Sequence, residues 1–248
     1  MIGTIELARR YESVLERVED AAARSGRSAR DVTVVAVTKT WPVELVVAAY
    51  ESGLRHFGEN RPEELAEKRP KFEDALGSDR AVSWHLIGPV QSRKARLAAE
   101  YADCFHALSR EKTAVRLSAA LTRINRLLPC FVEVNVSGEA SKLGLDLSNW
   151  ESDATQRENL RNYFRTISDL PGLAASGLMT MAPWDAKPSV LRGVFRRTRE
   201  LAQWLESEMP AVPRLMLSMG MTDDFEIAIE EGATHVRVGR ALFGERGK

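Results

Sequence analysis

The order in which strand-like and helix-like segments follow one another constrains the fold of this chain more than any other feature. Eight short apolar segments alternate with amphipathic helical segments from residue 32 onward. The predicted strands span residues 32–39, 53–60, 82–88, 104–108, 131–136, 173–181, 214–217 and 234–238. Eight alternating units with no strands left over favour α/β architecture, as a closed (β/α)8 barrel of the TIM type rather than an open sheet.

One further element precedes the first strand. Apolar residues recur at helical spacing from residue 4 to about residue 24, with Glu and Arg between them, which predicts an amphipathic helix covering one end of the fold. We find no internal repeat and no linker rich in Pro, Gly or Ser. Residues 1–248 are therefore predicted to form a single barrel domain with an extra N-terminal helix.

The bulk composition excludes several classes of partner. Thirty-five Lys and Arg residues balance 35 Asp and Glu residues, so no net field favours nucleic acid or an anionic membrane. The amino terminus has no apolar signal region, and no uncharged apolar run is long enough to span a bilayer. Cys104 and Cys130 lie in apolar contexts typical of reduced core residues. We expect a cytoplasmic protein without nucleic-acid or membrane partners.

Lys39 is the first candidate site residue. It ends an apolar run that predicts a strand buried on both faces, and Pro42 marks where that strand has stopped. Barrels place their ligands at the carboxyl ends of strands, and a lysine amine in apolar surroundings becomes usable as a nucleophile or for a Schiff base. The alternative is a lysine that simply extends into solvent at a strand end.

The segments after strands seven and eight suggest an anion site. Ser218 and Gly220 follow strand seven, and Gly239 directly follows strand eight. Free backbone N–H groups in these two loops are the usual phosphate seat of this architecture. Turn glycines with a capping serine would account for either segment alone. Asp223 and Asp224 would repel a dianion unless they point away from it.

Arg237 completes the candidate site. It lies between Val236 and Val238, so it points into the barrel mouth if the valines face the helices. A Schiff-base lysine, a phosphate seat and this arginine together suit pyridoxal 5′-phosphate, with the arginine donating to the pyridine nitrogen. Because an arginine does not readily give up a proton, the pyridine would stay unprotonated and be a weak electron sink.

Other polar residues have weaker assignments. Asn60, after the second strand, is a candidate neighbour of the cofactor and a candidate cap of the following helix; Thr222 or Asp223 would cap the helix before strand eight. The histidines fall on four different strands, without spacing suited to a metal, and we expect them in the core or behind the site. They are His56, His85, His106 and His235. No metal site is predicted.

Seven short motifs, in order between residues 32 and 246, carry a family resemblance. They are Ala36-Val37-Thr38-Lys39-Thr40, Phe57-Gly58-Glu59-Asn60, Trp84-His85-Leu86-Ile87-Gly88, Val134-Asn135-Val136-Ser137, Gly177-Leu178-Met179, Leu217-Ser218-Met219-Gly220-Met221 and Val236-Arg237-Val238-Gly239 with Phe243-Gly244. The sequence closely resembles the pyridoxal phosphate homeostasis proteins of the YggS/PROSC type, relatives of the alanine racemase barrel.

The resemblance implies a single barrel that holds pyridoxal phosphate as a Schiff base on Lys39. It implies that the phosphate is contacted by Ser218, Gly220, Gly239 and the Arg240 backbone. It also implies that Arg237 contacts the ring nitrogen. Lys142 matches a lysine of the family's mobile loop, which the resemblance connects with handing the cofactor on.

Four positions depart from the family pattern. Trp41 replaces a lysine of some members, Arg61 precedes a proline where an aromatic residue or valine is commoner, and Arg93 replaces a frequent asparagine. Arg240 stands where Ser or Thr is often found, so one side-chain contact to phosphate is missing.

Two functional classes remain open, a protein that regulates or delivers pyridoxal phosphate and a racemase that uses it on amino acids. A racemase needs a second acid/base, which barrel racemases take as a tyrosine from an additional β domain, whereas this sequence stops four residues after Gly244. All four tyrosines fall in predicted helices. Strand six has no lysine, which disfavours a class I aldolase. We expect a monomeric, non-catalytic homeostasis protein with apo pyridoxal phosphate enzymes as recipients, and a racemase as the alternative.

Overall fold

The computed structural model of the protein describes residues 3–139 and 141–245. Its strands are β1 (Thr33–Val37), β2 (His56–Glu59), β3 (Ser83–Leu86), β4 (Cys104–Leu108), β5 (Leu128–Asn135), β6 (Leu145–Asp146), β7 (Leu173–Met179), β8 (Met216–Met221) and β9 (His235–Val238). All pairings are parallel; β1 pairs with both β2 and β9, and β4 also pairs with β5. These pairings close an eight-stranded ring, with the two-residue β6 attached outside it to β5. The predicted (β/α)8 barrel is confirmed.

Helices follow the strands around the outside of the ring. They are α1 (Thr4–Arg24), α2 (Val43–Glu51), α3 (Pro62–Leu76), α4 (Ala95–Tyr101), α5 (Glu111–Arg123), α6 (Ala154–Asp169), α7 (Pro188–Glu208), α8 (Phe225–Glu230) and α9 (Arg240–Phe243). The extra N-terminal helix is confirmed as α1, which buries Leu7, Val14 and Val18. It is tied to α8 by an ion pair of 3.0 Å between Arg17 and Glu226.

Three local predictions were wrong. Asn60 does not cap α3, because the helix begins at Pro62 and Arg61 occupies the cap position with extended backbone. The strand predicted over residues 214–217 starts at Met216 and runs on to Met221. As a result α8 starts later, and Asp224 rather than Thr222 or Asp223 precedes it.

Aromatic side chains fill part of the core between the barrel and the helices. Phe57, Phe72 and Trp84 form a cluster of rings there, with centroids 5.6–6.1 Å apart. Cys104 and Cys130 are buried free thiols, as predicted. Among the described residues, no helix combines the length and apolar character needed to cross a membrane.

Candidate functional site

A cleft of about 470 Å³ opens at the carboxyl ends of the barrel strands. This is the position at which barrels bind ligands, and the volume suits a small molecule. The cleft is lined by Val37, Lys39, Asn60, Ile87, Met181, Trp184, Met221, Thr222, Asp223, Arg237, Gly239, Arg240 and Glu245. The structure thus brings together five of the seven residues predicted from sequence, and leaves Ser218 and Gly220 outside the lining.

A larger groove of about 720 Å³ lies on the outside of the barrel between α4 and α5. Its lining includes the basic side chains of Arg93, Arg96, Lys112, Arg116 and Arg123. It holds none of the predicted site residues, and it lies on the helix layer rather than at the strand ends. We therefore take the smaller cleft as the candidate site, and Arg93, one of the departures from the family pattern, lies outside it.

Lys39 lies in a turn, two residues beyond the last residue of β1. The turn is closed by a hydrogen bond of 3.0 Å from the Trp41 backbone N–H to the Thr38 carbonyl oxygen. Thr40 has a φ of +68°, a left-handed conformation that costs free energy in a threonine. Trp41 packs at 6.3 Å from the ring of Phe243. The lysine is half-buried and projects from a tightly constrained turn.

A buried network of charged side chains, Lys68, Glu59 and Glu64, contacts the turn that carries Lys39. The Lys68 ammonium donates to the Thr38 carbonyl oxygen at 2.8 Å, to Glu59 at 2.8 Å and to Glu64 at 2.7 Å. The Thr38 hydroxyl also donates to Glu59, at 2.7 Å. Burial raises the pKa of Glu59 to about 7, although Lys68 opposes this rise. Sequence reasoning missed the network because a lysine in the middle of an amphipathic helix is usually solvated.

Arg237 is buried in the barrel interior, with 5% of its surface exposed. Its Nη1 donates to Ser218 Oγ at 2.7 Å and its Nη2 donates to the Thr180 carbonyl oxygen at 3.0 Å. Burial lowers the pKa of Arg237 to about 10, while the nearby carboxyl groups of Asp224 and Glu133 act in the opposite direction. The guanidinium is a fixed donor at the floor of the cleft.

Ser218 and Gly220 lie within β8 rather than in a loop after it. Ser218 is fully buried, and its hydroxyl is 2.7 Å from Nδ1 of His106. Gly220 has a φ of +94°, and a Cβ atom there would be 2.6 Å from Cβ of Ala228 and 2.9 Å from Cα of Phe225. The glycine therefore lets β8 pass close to α8, and the loop that faces the cleft begins only at Thr222.

Thr222 is a cleft residue for which the sequence suggested only helix capping. Its hydroxyl accepts a hydrogen bond of 3.3 Å from the backbone N–H of Gly239. This contact joins the loops after β8 and β9, which are the two loops predicted to form a phosphate seat. A hydroxyl and backbone N–H groups thus lie side by side at this end of the cleft.

Both acidic residues near this seat have partners. Asp223 forms an ion pair with Arg240, whose guanidinium also lies 5.2 Å from the ring centroid of Trp184. Asp224 accepts a hydrogen bond of 2.5 Å from the Met221 backbone N–H, and burial raises the pKa of its carboxyl group. The repulsion that the sequence suggested is therefore reduced. Arg240 offsets the charge of Asp223, and the carboxyl group of Asp224 is turned away from the cleft.

Lys142 reaches the rim of the cleft from the loop after β5. Its ammonium donates to the Met181 carbonyl oxygen at 2.8 Å and lies 3.1 Å from the Glu139 carboxylate. On the opposite side, Asn60 fills the space beside Gly88, where a Cβ atom would be 2.3 Å from the Asn60 carbonyl oxygen. Gly88 thereby allows Asn60 to sit at the cleft wall.

The potential ligand atoms of His85, Cys104 and His106 lie within 4.8 Å of one another in the buried interior. However, Nδ1 of His85 and Nε2 of His106 already form a hydrogen bond of 2.9 Å. Burial also raises the pKa of the Cys104 thiol, which disfavours the thiolate that metals bind.

Comparisons with known proteins point to one family. Residues 14–247 match the family model of the alanine racemase N-terminal domain. A protein of Vibrio cholerae is 38% identical over 235 residues, 95% of this chain and 94% of its own length. A protein of Escherichia coli K12 is 35% identical over 246 residues, 97% of each chain. Both relatives are named pyridoxal phosphate homeostasis protein.

Solved structures give the same result. PipY of Synechococcus elongatus, with PLP bound, is 31% identical, with a TM-score of 0.78 over 96% of this chain and 100% of PipY. An unknown protein from Bifidobacterium adolescentis is also 31% identical, with a TM-score of 0.85 over 97% of this chain and 95% of its own. Alanine racemase of Clostridium difficile, at 12% identity and a TM-score of 0.64, shares the fold. With its barrel, its cleft and its full-length relatives, the chain belongs to the pyridoxal phosphate homeostasis protein family.

Proposed function

We propose that this protein binds pyridoxal 5′-phosphate in the cleft as a Schiff base on Lys39, and serves intracellular pyridoxal phosphate homeostasis and delivery without substantial catalysis. The convergence of Lys39 and Arg237 in one cleft carries the proposal. Lys39 lies two residues beyond the end of β1 and Arg237 lies in β9; these two strands pair directly, with Val35 opposite Arg237. The PLP-bound PipY structure supports the choice of ligand.

The other cleft groups fit the same ligand. Phosphate would be held by the Thr222 hydroxyl, by the backbone N–H group of Arg240, and by the N–H group of Gly239 once it turns from Thr222 to the phosphate. Asn60 would flank the ring, and Arg237 would donate to the pyridine nitrogen. When bound, pyridoxal phosphate supplies an electrophilic aldehyde and an electron sink. Arg237 weakens the sink, because a guanidinium leaves the ring nitrogen unprotonated.

The surroundings of the cleft favour a carrier over a racemase. The four tyrosines lie in α1, α2, α4 and α6, and none of them lines the cleft. Asp223, an acidic group in the lining, is ion-paired with Arg240. Glu245 is the other carboxylate of the described lining, and no tyrosine is present there to serve as the second acid/base of a barrel racemase.

Delivery requires a route out of the cleft. Lys142 spans the rim to Met181, so its hydrogen bond would have to break or shift as the cofactor leaves. We assign Lys142 a role in that step, with apo pyridoxal phosphate enzymes of the cytoplasm as recipients. The donor would be one barrel domain acting as a monomer.

Spectroscopy of the purified protein with added pyridoxal phosphate tests the binding mode. We expect a visible Schiff-base absorbance, and mass spectrometry after borohydride reduction should locate the modification on Lys39. Lys39→Ala should abolish both signals. Lys71→Ala, at an exposed lysine of α3, is the matched control and should keep them. A Lys39→Ala protein with the full signal would disprove the assignment.

Two further assays separate the functions. The loaded protein should transfer cofactor to an apo-enzyme and restore its activity, whereas a panel of amino acids should show no racemisation above background. Robust turnover of any amino acid would establish the racemase instead.

A further inference from the structure

A chain of hydrogen bonds crosses the barrel interior and ends at Arg237. Nδ1 of His56 lies 3.0 Å from Nε2 of His85, and Nδ1 of His85 lies 2.9 Å from Nε2 of His106. Nδ1 of His106 is 2.7 Å from Ser218 Oγ, which accepts from Arg237 at 2.7 Å. His56 starts β2, so this end of the chain lies at the face of the barrel opposite the cleft.

Ser218 and Arg237 together set the direction of the chain. The Ser218 oxygen accepts from Arg237, because a guanidinium can only donate. A hydroxyl oxygen can accept twice, so the direction depends on the Ser218 proton: among the described residues its one hydrogen-bond acceptor is Nδ1 of His106, and donating there satisfies a fully buried hydroxyl. A neutral imidazole that accepts at Nδ1 carries its proton on Nε2. His106 therefore donates to His85, and by the same reasoning His85 donates to His56. All three rings take the Nε2–H tautomer.

This common order has an electrostatic consequence. In a neutral imidazole the bare nitrogen is the negative end of the dipole and the N–H is the positive end. Every negative end in the chain points toward Arg237. Hydrogen bonds aligned in this way also strengthen one another in a low-dielectric interior.

Arg237 needs such support. It is buried in the barrel interior, and its side chain donates to neutral oxygens of Ser218 and Thr180 rather than to a carboxylate. Glu133 and Asp224 act on it through space. His235, beside the chain, pairs instead with the Thr234 hydroxyl at 2.9 Å. Burial keeps the pKa values of His85 and His106 well below the ordinary value, so both rings stay neutral.

We propose that Ser218, His106, His85 and His56 are positioning residues for Arg237, an ordered chain of neutral Nε2–H imidazoles that keeps the buried guanidinium charged and directed at the cleft. The cofactor-facing part of this role rests on the proposed function. The tautomer order does not, since it follows from the protein's own hydrogen bonds.

Nitrogen-15 NMR of the histidine-labelled protein without cofactor tests the order directly. At pH 7.5 we expect His56, His85 and His106 all to show a protonated Nε2 and a bare Nδ1. Ser218→Ala removes the donor to His106 and should shift at least His106 toward the Nδ1–H form. His235→Gln, at a histidine outside the chain, should leave the three tautomers unchanged. An Nδ1–H ring at any of the three positions in the unmodified protein overturns the proposal.

A titration with pyridoxal phosphate tests the positioning role. Ser218→Ala should weaken binding roughly tenfold, because Arg237 loses an oriented acceptor. Ser218→Thr keeps the hydroxyl and should recover most of the affinity. Unchanged affinity and unchanged tautomers in Ser218→Ala would overturn the proposal. Ordered tautomers in a protein that binds no pyridoxal phosphate would instead disprove the proposed function and leave the support of Arg237 standing.

Discussion

The Lys68 ammonium donates a hydrogen bond of 2.8 Å to the carbonyl oxygen of Thr38, the residue that precedes Lys39. A side chain from α3 thus holds the turn that presents the candidate Schiff-base lysine. The same ammonium neutralises Glu59, which is fully buried. Stability and site geometry therefore depend on one cation.

Lys68→Met should destabilise the protein by about 3 kcal/mol, because it leaves a buried carboxylate without its partner. Urea unfolding gives the change in free energy, and the rate of Schiff-base formation reports the loosened turn. The double variant Lys68→Met with Glu59→Gln should recover part of the stability. Lys71→Met changes an exposed lysine and should cost less than about 0.5 kcal/mol. Equal effects of Lys68→Met and Lys71→Met would contradict this assignment.

The buried histidines should make the protein sensitive to mild acid. Burial lowers the pKa of His235 to about 4 and that of His85 and His106 well below 6.5. Above pH 6.5 these rings are neutral in both the folded and the unfolded state. As the pH falls below 6.5, only the unfolded state gains protons, so stability falls by about 1.4 kcal/mol per pH unit for each histidine.

Glu59 works in the opposite direction, since its raised pKa favours the folded state as the pH falls from about 7 toward 4.5. Burial also raises the pKa of Glu133 and Asp224, which act in the same direction as Glu59. Burial lowers the pKa of His56 as well, so four histidines oppose three carboxyl groups, and the net free energy of unfolding should decrease between pH 6.5 and pH 4.5. Urea titrations at pH 7.5, 6 and 5 measure the trend. A free energy of unfolding that stays constant or rises over this range would be inconsistent with neutral buried rings.

Gly220→Ala should destabilise the protein by roughly 3 kcal/mol. The positive φ is costly for alanine, and the new methyl group would collide with Ala228 and Phe225. Gly193→Ala is the control, since it lies in α7 with nothing within 4 Å of the added Cβ, and it should stabilise by about 0.5–1 kcal/mol. Thermal and urea unfolding of both variants would show opposite signs. A neutral Gly220→Ala variant would show that β8 can relax away from α8.

Arg240→Ala should weaken the binding of pyridoxal phosphate roughly fivefold, because it leaves the Asp223 carboxylate uncompensated beside the phosphate seat. Adding Asp223→Asn to this variant should restore most of the affinity. Absorbance titrations at low and high salt measure the effect, which should shrink as salt screens the charge. If the double variant binds no better than Arg240→Ala, the guanidinium acts by direct contact rather than by neutralising Asp223.

The fold was predictable because strand and helix periodicities repeat eight times in strict alternation, and few architectures accept that order. Lys39, Arg237 and Gly239 could be placed in the cleft because each lies at or just beyond the end of a strand. The strand extension at Gly220 could not be foreseen, since a positive φ leaves no mark in the periodicity. It moved Ser218 out of the expected loop and brought Thr222 into the cleft.

The histidine chain also could not be predicted from the sequence. His106 and Ser218 are 112 residues apart, and their contact depends on the stagger of strands around the closed ring. No local pattern encodes that stagger. The prediction that the histidines lie in the core or behind the site was correct in kind, but their order and their connection to Arg237 could not be predicted.

The direct pairing of β1 with β9 divides the mouth of the barrel into two unequal halves. Arg237 lies in β9 and Lys39 lies in the turn that directly follows β1, so the backbone ladder between these strands joins the two positions. The facing rim is built from loops, where Lys142 meets Met181 and where Trp184 is 72% exposed. Entry and exit of a ligand would therefore be controlled from the loop side, opposite the half that the paired strands anchor.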